Sequence, residues 1–171
     1  MILRAKAFSL RPFRKGDEIS LRTNINSRNV SRYTLRIPFP YLARHARGWV
    51  KKNISLGSRR KADELNFAID MKGEVVGGIS LMHIEKHKAE IGYWLGEKYW
   101  GRGIMTEVVK LVCGHAFGRL KLGRIYASVF RPNRASARVL EKAGFRLEGI
   151  NRKNCLKNGR IYDGMLYAKT R

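Results

Sequence analysis

A chain of 171 residues that is 44% hydrophobic and 29% charged can bury one core and is too short for two ordinary domains, so one domain over residues 1–171 is expected. No apolar run approaches the ~20 residues of a bilayer-spanning helix, and Met1-Ile2-Leu3-Arg4-Ala5-Lys6 lacks the apolar core and cleavage site of a secretory signal; a cytoplasmic protein with no membrane role is expected. Thirty-six Lys and Arg against 13 Asp and Glu, a net charge of +23, imply either anionic partners or a solvated basic coat.

Phe8 to Phe13 reads as a first strand, and Lys15-Gly16-Asp17 opens a short helix to about Ile25. Pro38 and Pro40 break the chain. Leu42, Ala46, Trp49, Val50 and Ile54 then recur at helical spacing, and Gly57 ends this second helix. Leu65 to Asp70 and Val75 to Ile84 form a hairpin about Lys72-Gly73, followed by a strand from Ala89 to Leu95 after the Lys86-His87-Lys88 turn. A helix to about Gly118 places Met105, Val108, Val109, Val112 and Ala116 on one face. A strand Arg124 to Phe130, a helix Arg134 to Ala143 and two closing strands, Phe145 to about Arg152 and Ile161 to Ala168, complete the order β-α-α-β-β-β-α-β-α-β-β. That order excludes a doubly wound sheet or a barrel. It predicts an α/β (α+β) domain with a mixed, mainly antiparallel sheet in which only the strands joined by the long helix run parallel.

Two segments carry chemistry. Tyr99-Trp100-Gly101-Arg102-Gly103-Ile104-Met105-Thr106-Glu107 follows a strand and opens a helix, the arrangement in which backbone N–H groups and the helix dipole receive an anion. By itself such a turn is also found as a tight connection. Downstream lies Asn133-Arg134-Ala135-Ser136-Ala137-Arg138-Val139-Leu140-Glu141-Lys142-Ala143-Gly144-Phe145. Together with Leu10-Arg11-Pro12-Phe13 and Glu90-Ile91-Gly92-Tyr93-Trp94-Leu95, these segments make the chain resemble the GNAT superfamily of acetyl-CoA-dependent N-acetyltransferases from Leu10 to about Ala168. Within it the chain looks most like the RimJ/RimL branch, which acetylates protein N-termini.

The resemblance implies a sheet splayed between its two parallel strands, with acetyl-CoA in the gap and direct transfer in a ternary complex. The amides of Gly101, Arg102, Gly103, Ile104, Met105 and Thr106 would take the pyrophosphate, and Arg102 would add charge. Trp100, counted with this set, stands where the family usually keeps a basic residue or Gln, and Met105 where it keeps a second small residue; both departures fit the RimJ/RimL branch. The strand with Tyr93, Trp94 and Leu95 would pair with the pantetheine arm, and Gly92 would ease that approach or mark a bulge. Asn133 is either the cap of its helix or a contact to the pantetheine amides. Arg138 and Lys142 join the cofactor-binding set. The tyrosine that many members carry seven residues after the Asn is Leu140 here, so Ser136 is the expected acid for the departing sulfur. Glu90 is the expected base, or else a paired structural carboxylate. The glutamate of RimL-like enzymes aligns with Cys155, so its role passes to Glu90, Glu148 or Asp163, or is lost.

Cys113 and Cys155 have no metal-ligand or CxxC spacing, the four histidines form no HxxH pair, and no metal is expected. Arg44, Arg47, Lys51 and Lys52 share one polar helix face, with Arg59, Arg60 and Lys61 close behind. This patch is a candidate docking surface for ribosomes, RNA or an acidic protein. A catalytically silent basic RNA-binding module is the competing reading. Acetylation of a polyamine or aminoglycoside is a further one, disfavoured because a positive surface repels polycations. The domain is expected as a monomer or homodimer.

Overall fold

The computed structural model describes residues 2–57 and 63–171. In chain order the elements are β1 (Leu3–Arg4), β2 (Ser9–Arg11), α1 (Glu18–Ile25), α2 (Arg28–Arg32), α3 (Ala43–Gly57), β3 (Leu65–Met71), β4 (Glu74–Met82), β5 (Lys88–Leu95), α4 (Ile104–Gly118), β6 (Arg124–Phe130), α5 (Arg134–Lys142), β7 (Arg146–Lys157) and β8 (Arg160–Thr170). The strands form one sheet in the order β1-β2-β3-β4-β5-β6-β8-β7. All neighbours are antiparallel except β5 and β6, the two strands joined by α4. The mixed sheet expected from the order of elements is therefore present.

Alternation along the strands divides the core. Phe67, Ile69 and Val76 face a cluster completed by Met105, Val108, Val109, Val112 and Ala116 of α4 and by Leu140 of α5. Their neighbours Ala68 and Val75 face the opposite side, against Leu21 and Ile25 of α1 and Ala46 and Val50 of α3. The sheet is thus covered on both faces. Arg11 on β2 ties that second side together: its guanidinium donates to Asp17, just before α1, at 2.8 Å and to Asp70 at the end of β3 at 2.7 Å, with all three residues buried.

The structure departs from the sequence-based expectation at three places. The N-terminal strand is a small hairpin, β1 with β2, rather than one strand from Phe8 to Phe13. A short helix, α2, was not expected; Ser27 caps it by accepting from the amides of Asn29 and Val30. The closing hairpin runs on to Lys157 and Arg160 about an Asn158-Gly159 turn with both residues at positive φ, so its first strand extends beyond the expected end near Arg152. Along α3, Arg44, Arg47 and Lys51 are exposed as predicted. Lys52 is exposed as well, and it also pairs with Glu64 at 2.8 Å and lies over the Trp49 ring. Arg59, Arg60 and Lys61 fall outside the described residues.

Candidate active site

The functional geometry begins where the sheet comes apart. β5 and β6 pair through only three residue pairs, Lys88 with Arg124, Ala89 with Ile125 and Glu90 with Tyr126. Beyond Glu90 each strand stays with its other neighbour, β5 with β4 as far as Leu95 and β6 with β8 as far as Phe130. Ile91 to Leu95 therefore turn one backbone edge toward a gap rather than toward a strand, and such an edge can pair with an extended ligand. The gap belongs to a cleft of about 830 Å³ whose wall includes Glu90, Tyr93, Trp94, Leu95, Trp100, Gly101, Gly103, Ile104, Met105, Thr106, Asn133, Ser136, Arg138 and Lys142. Of the expected site residues, Arg102 is not in that wall; it is exposed, with its guanidinium near the Tyr99 ring. Gly92 lines the cleft, and a Cβ there would meet only Met82 Cε, the movable end of a flexible side chain, at 2.9 Å.

The turn before α4 is built to leave donors free. Gly101 and Gly103 both have φ +74, and Gly103 occupies the N-cap position without a side chain to bond the first amides. The first bond into the helix runs from the Glu107 N–H to the Gly103 carbonyl, which leaves the amides of Ile104, Met105 and Thr106 without an intrahelical acceptor. A Cβ at Gly101 or Gly103 would meet no protein atom within 4 Å, so the space above the turn is open. Trp100 braces this turn, its indole N–H donating to the Leu95 carbonyl at 2.7 Å. Free amides, dipole and open space together suit a phosphate group.

On the opposite wall, Asn133 caps α5, its Oδ1 accepting from the Ser136 amide at 3.2 Å. The capped-helix alternative for Asn133 is what the geometry shows, with the side chain still on the cleft. Leu140 is fully buried in the core and offers no proton. Ser136 Oγ lies 2.8 Å from the Tyr93 hydroxyl, and that hydroxyl is 3.2 Å from the Ser136 carbonyl. Burial pushes the Tyr93 phenol well above its ordinary range, with the Ser136 bond working weakly against it. The expectation for Tyr93 rests on its backbone alone; its side-chain link to Ser136 depends on how β5 and α5 face each other across the gap.

Of the carboxylates considered for the base, only Glu90 lines the cleft. Its Oε2 lies 3.1 Å from His83 Nδ1 at the turn before β5. Glu148 is taken up by a two-pronged pair with Arg124. Asp163 is held by Arg131 at 3.0 Å and by the Lys153 amide at 3.1 Å. Cys155 is a buried thiol beside Asn154 and Ser128, and burial raises its pKa, away from the range of the carboxylate it stands in place of. One acidic group in the wall is not marked by any sequence motif: Glu64, just before β3. Burial alone would raise its pKa, but hydrogen bonds from Lys52 and Asn66 and the charge of Arg36 together hold it below the ordinary value. Arg32, Arg36 and Arg134 also line the cleft. Among the described residues no cluster of three or more His, Cys, Asp or Glu side chains is arranged to hold a metal ion, and no helix is long and apolar enough to cross a membrane.

Comparison with known proteins gives the same picture. The Acetyltransferase (GNAT) domain family model matches residues 8–146. The chain is 47% identical over 113 residues to the Probable N-acetyltransferase YjcK of Bacillus subtilis (strain 168), a match that covers 63% of this chain and 62% of that protein. It is 33% identical over 122 residues to the Ribosomal-protein-serine acetyltransferase of Escherichia coli (strain K12), covering 70% of this chain and 67% of that one. Among solved structures, RimL, the Ribosomal L7/L12 alpha-N-protein acetyltransferase in complex with Coenzyme A, superposes with a TM-score of 0.88 at 25% identity over 99% of this chain and 98% of that one. With the family model matched over residues 8–146 and the overall fold shared with RimL, this chain belongs to the GNAT acetyltransferases.

Proposed function

We propose that the chain is an acetyl-CoA-dependent N-acetyltransferase that acts on the N-terminal α-amine of a protein by direct transfer in a ternary complex. The observation that carries this reading is that a single cleft joins the open glycine turn, the unpaired edge of β5, Ser136 and Glu90. Bound there, acetyl-CoA supplies the thioester that the amine attacks. The Ile104, Met105 and Thr106 amides grip its pyrophosphate, and the free edge of β5 holds the pantetheine amides in the manner of an added strand. Glu90 takes the proton that an ammonium must lose before it is nucleophilic. The Ser136 hydroxyl gives its proton to the departing sulfur, and its oxygen recovers one from the amine nitrogen as the C–N bond forms. Holding both reactants in one slot is worth up to roughly 7–11 kcal/mol, against about 3–5 kcal/mol for one general acid, so the slot matters more than either side chain.

The +23 charge and the arginines in the cleft wall disfavour a polycationic acceptor. The test is thiol release from acetyl-CoA by the full chain, screened against peptides with free N-termini and against small amines including spermidine. Turnover on peptides, with the added mass on the α-amine, is the expected result. Turnover on spermidine alone would move the acceptor to small amines, and none on any amine would leave a silent basic module.

A further inference from the structure

Tyr93 and Ser136 reach each other across the opening in the sheet. Tyr93 stands three residues beyond Glu90, the last residue of β5 that pairs with β6. Its hydroxyl nonetheless comes within 2.8 Å of Ser136 Oγ in the first turn of α5. Both residues line the cleft. The ring packs against the main hydrophobic cluster, which fixes where the hydroxyl points.

We propose that Tyr93 is a positioning residue for the Ser136 hydroxyl: its phenol donates to Ser136 Oγ and so leaves the serine proton turned into the cleft. This rests on the role proposed above for Ser136. A serine hydroxyl has one proton and two acceptor sites, and it rotates to suit its neighbours. With one acceptor site filled by the phenol, the Oγ–H is directed away from Tyr93. The phenol has one proton, and its 2.8 Å contact with Oγ is shorter than its 3.2 Å contact with the Ser136 carbonyl, which favours Oγ as the acceptor; donation to the carbonyl, with Oγ donating to the phenol oxygen, would instead spend the serine proton on Tyr93. Tyr93 keeps its own proton throughout, consistent with a burial that disfavours the phenolate. When the serine oxygen carries excess charge during proton transfer, the phenol is already in place to stabilise it.

The experiment is a double-mutant cycle on the full chain with Tyr93→Phe and Ser136→Ala, measuring kcat, KM for acetyl-CoA and thermal unfolding. The phenylalanine keeps the ring and its packing, so an unchanged melting temperature and KM are expected. Ser136→Ala should lower kcat by roughly 10²-fold and Tyr93→Phe by roughly 10-fold. The double variant should match Ser136→Ala alone instead of falling a further 10-fold, because the phenol acts only through the serine. An additive double variant, an unchanged or raised kcat in Tyr93→Phe, or a loss of Tyr93→Phe activity accompanied by a lower melting temperature would each overturn the inference while leaving Ser136 its role. Full activity in Ser136→Ala would remove the role of Ser136 itself, and the inference with it.

Discussion

Replacing Gly103 by asparagine separates two effects that a bulkier residue would mix. At φ +74 any branched side chain is strained, so Gly103→Val is expected to cost about 1–2 kcal/mol of stability before any ligand is considered. Asparagine tolerates the left-handed region, which removes most of that cost. Because a Cβ at Gly103 meets no protein atom within 4 Å, the new side chain enters only the open space above the free amides. If it displaces one amide-to-phosphate hydrogen bond, a charge-assisted bond of about 1.5–3 kcal/mol, the affinity for acetyl-CoA should fall roughly 10- to 100-fold. Titration calorimetry gives the affinity, and scanning calorimetry with and without acetyl-CoA gives the shift in melting temperature that binding to the folded state produces. Gly103→Asn should unfold within a few degrees of the parent when ligand-free and lose most of the ligand-induced shift. A variant with parental affinity would refute the placement of the phosphate at this turn.

Three further outcomes follow from other parts of the fold. Arg11→Met removes the guanidinium that buried Asp17 and Asp70 share, leaving Asp17 only the more distant Arg14 at 3.9 Å, so thermal unfolding should drop by roughly 6–20 °C, from about 3–5 kcal/mol; a drop below about 4 °C would show that water or Arg14 replaces it. The folded-state pKa of Glu64 lies below its ordinary value of 4.5, so its stabilising contribution is present above that pH and fades as the pH falls through the folded value. Lys52→Met should accordingly lower the melting temperature at pH 7 and lose that difference in acid; an equal difference at both pH values would assign the effect to packing on Trp49. Reversing the exposed Arg44, Arg47 and Lys51 to Glu should abolish salt-sensitive co-sedimentation with ribosomes while sparing acetylation of a short peptide, since none of the three lines the cleft. Co-sedimentation equal to the parent's would mark the charge as a solvated coat.

What could be read from the chain alone was local. The spacing of Met105, Val108, Val109, Val112 and Ala116, and the glycines before them, specify a strand, an open turn and a helix within one stretch, because helical periodicity and positive φ are properties of near neighbours. The hairpin about Lys72-Gly73 was visible for the same reason. The Asn158-Gly159 signal was equally local, yet the register shift between Asn151 and Cys155 and the polar run through it hide the alternation that marks a strand. The resemblance carried by the two motifs supplied the rest of the expectation, including the splay. Tertiary structure alone decided which of Glu90, Glu148 and Asp163 reaches the cleft, because an ion pair such as Glu148 with Arg124 joins residues 24 positions apart. It likewise decided that Tyr93 meets Ser136 across 43 positions and that Glu64 joins the cleft wall. The Tyr93–Ser136 contact depends on how far β5 and β6 stay together before each follows its other neighbour, and no short window of residues encodes that distance.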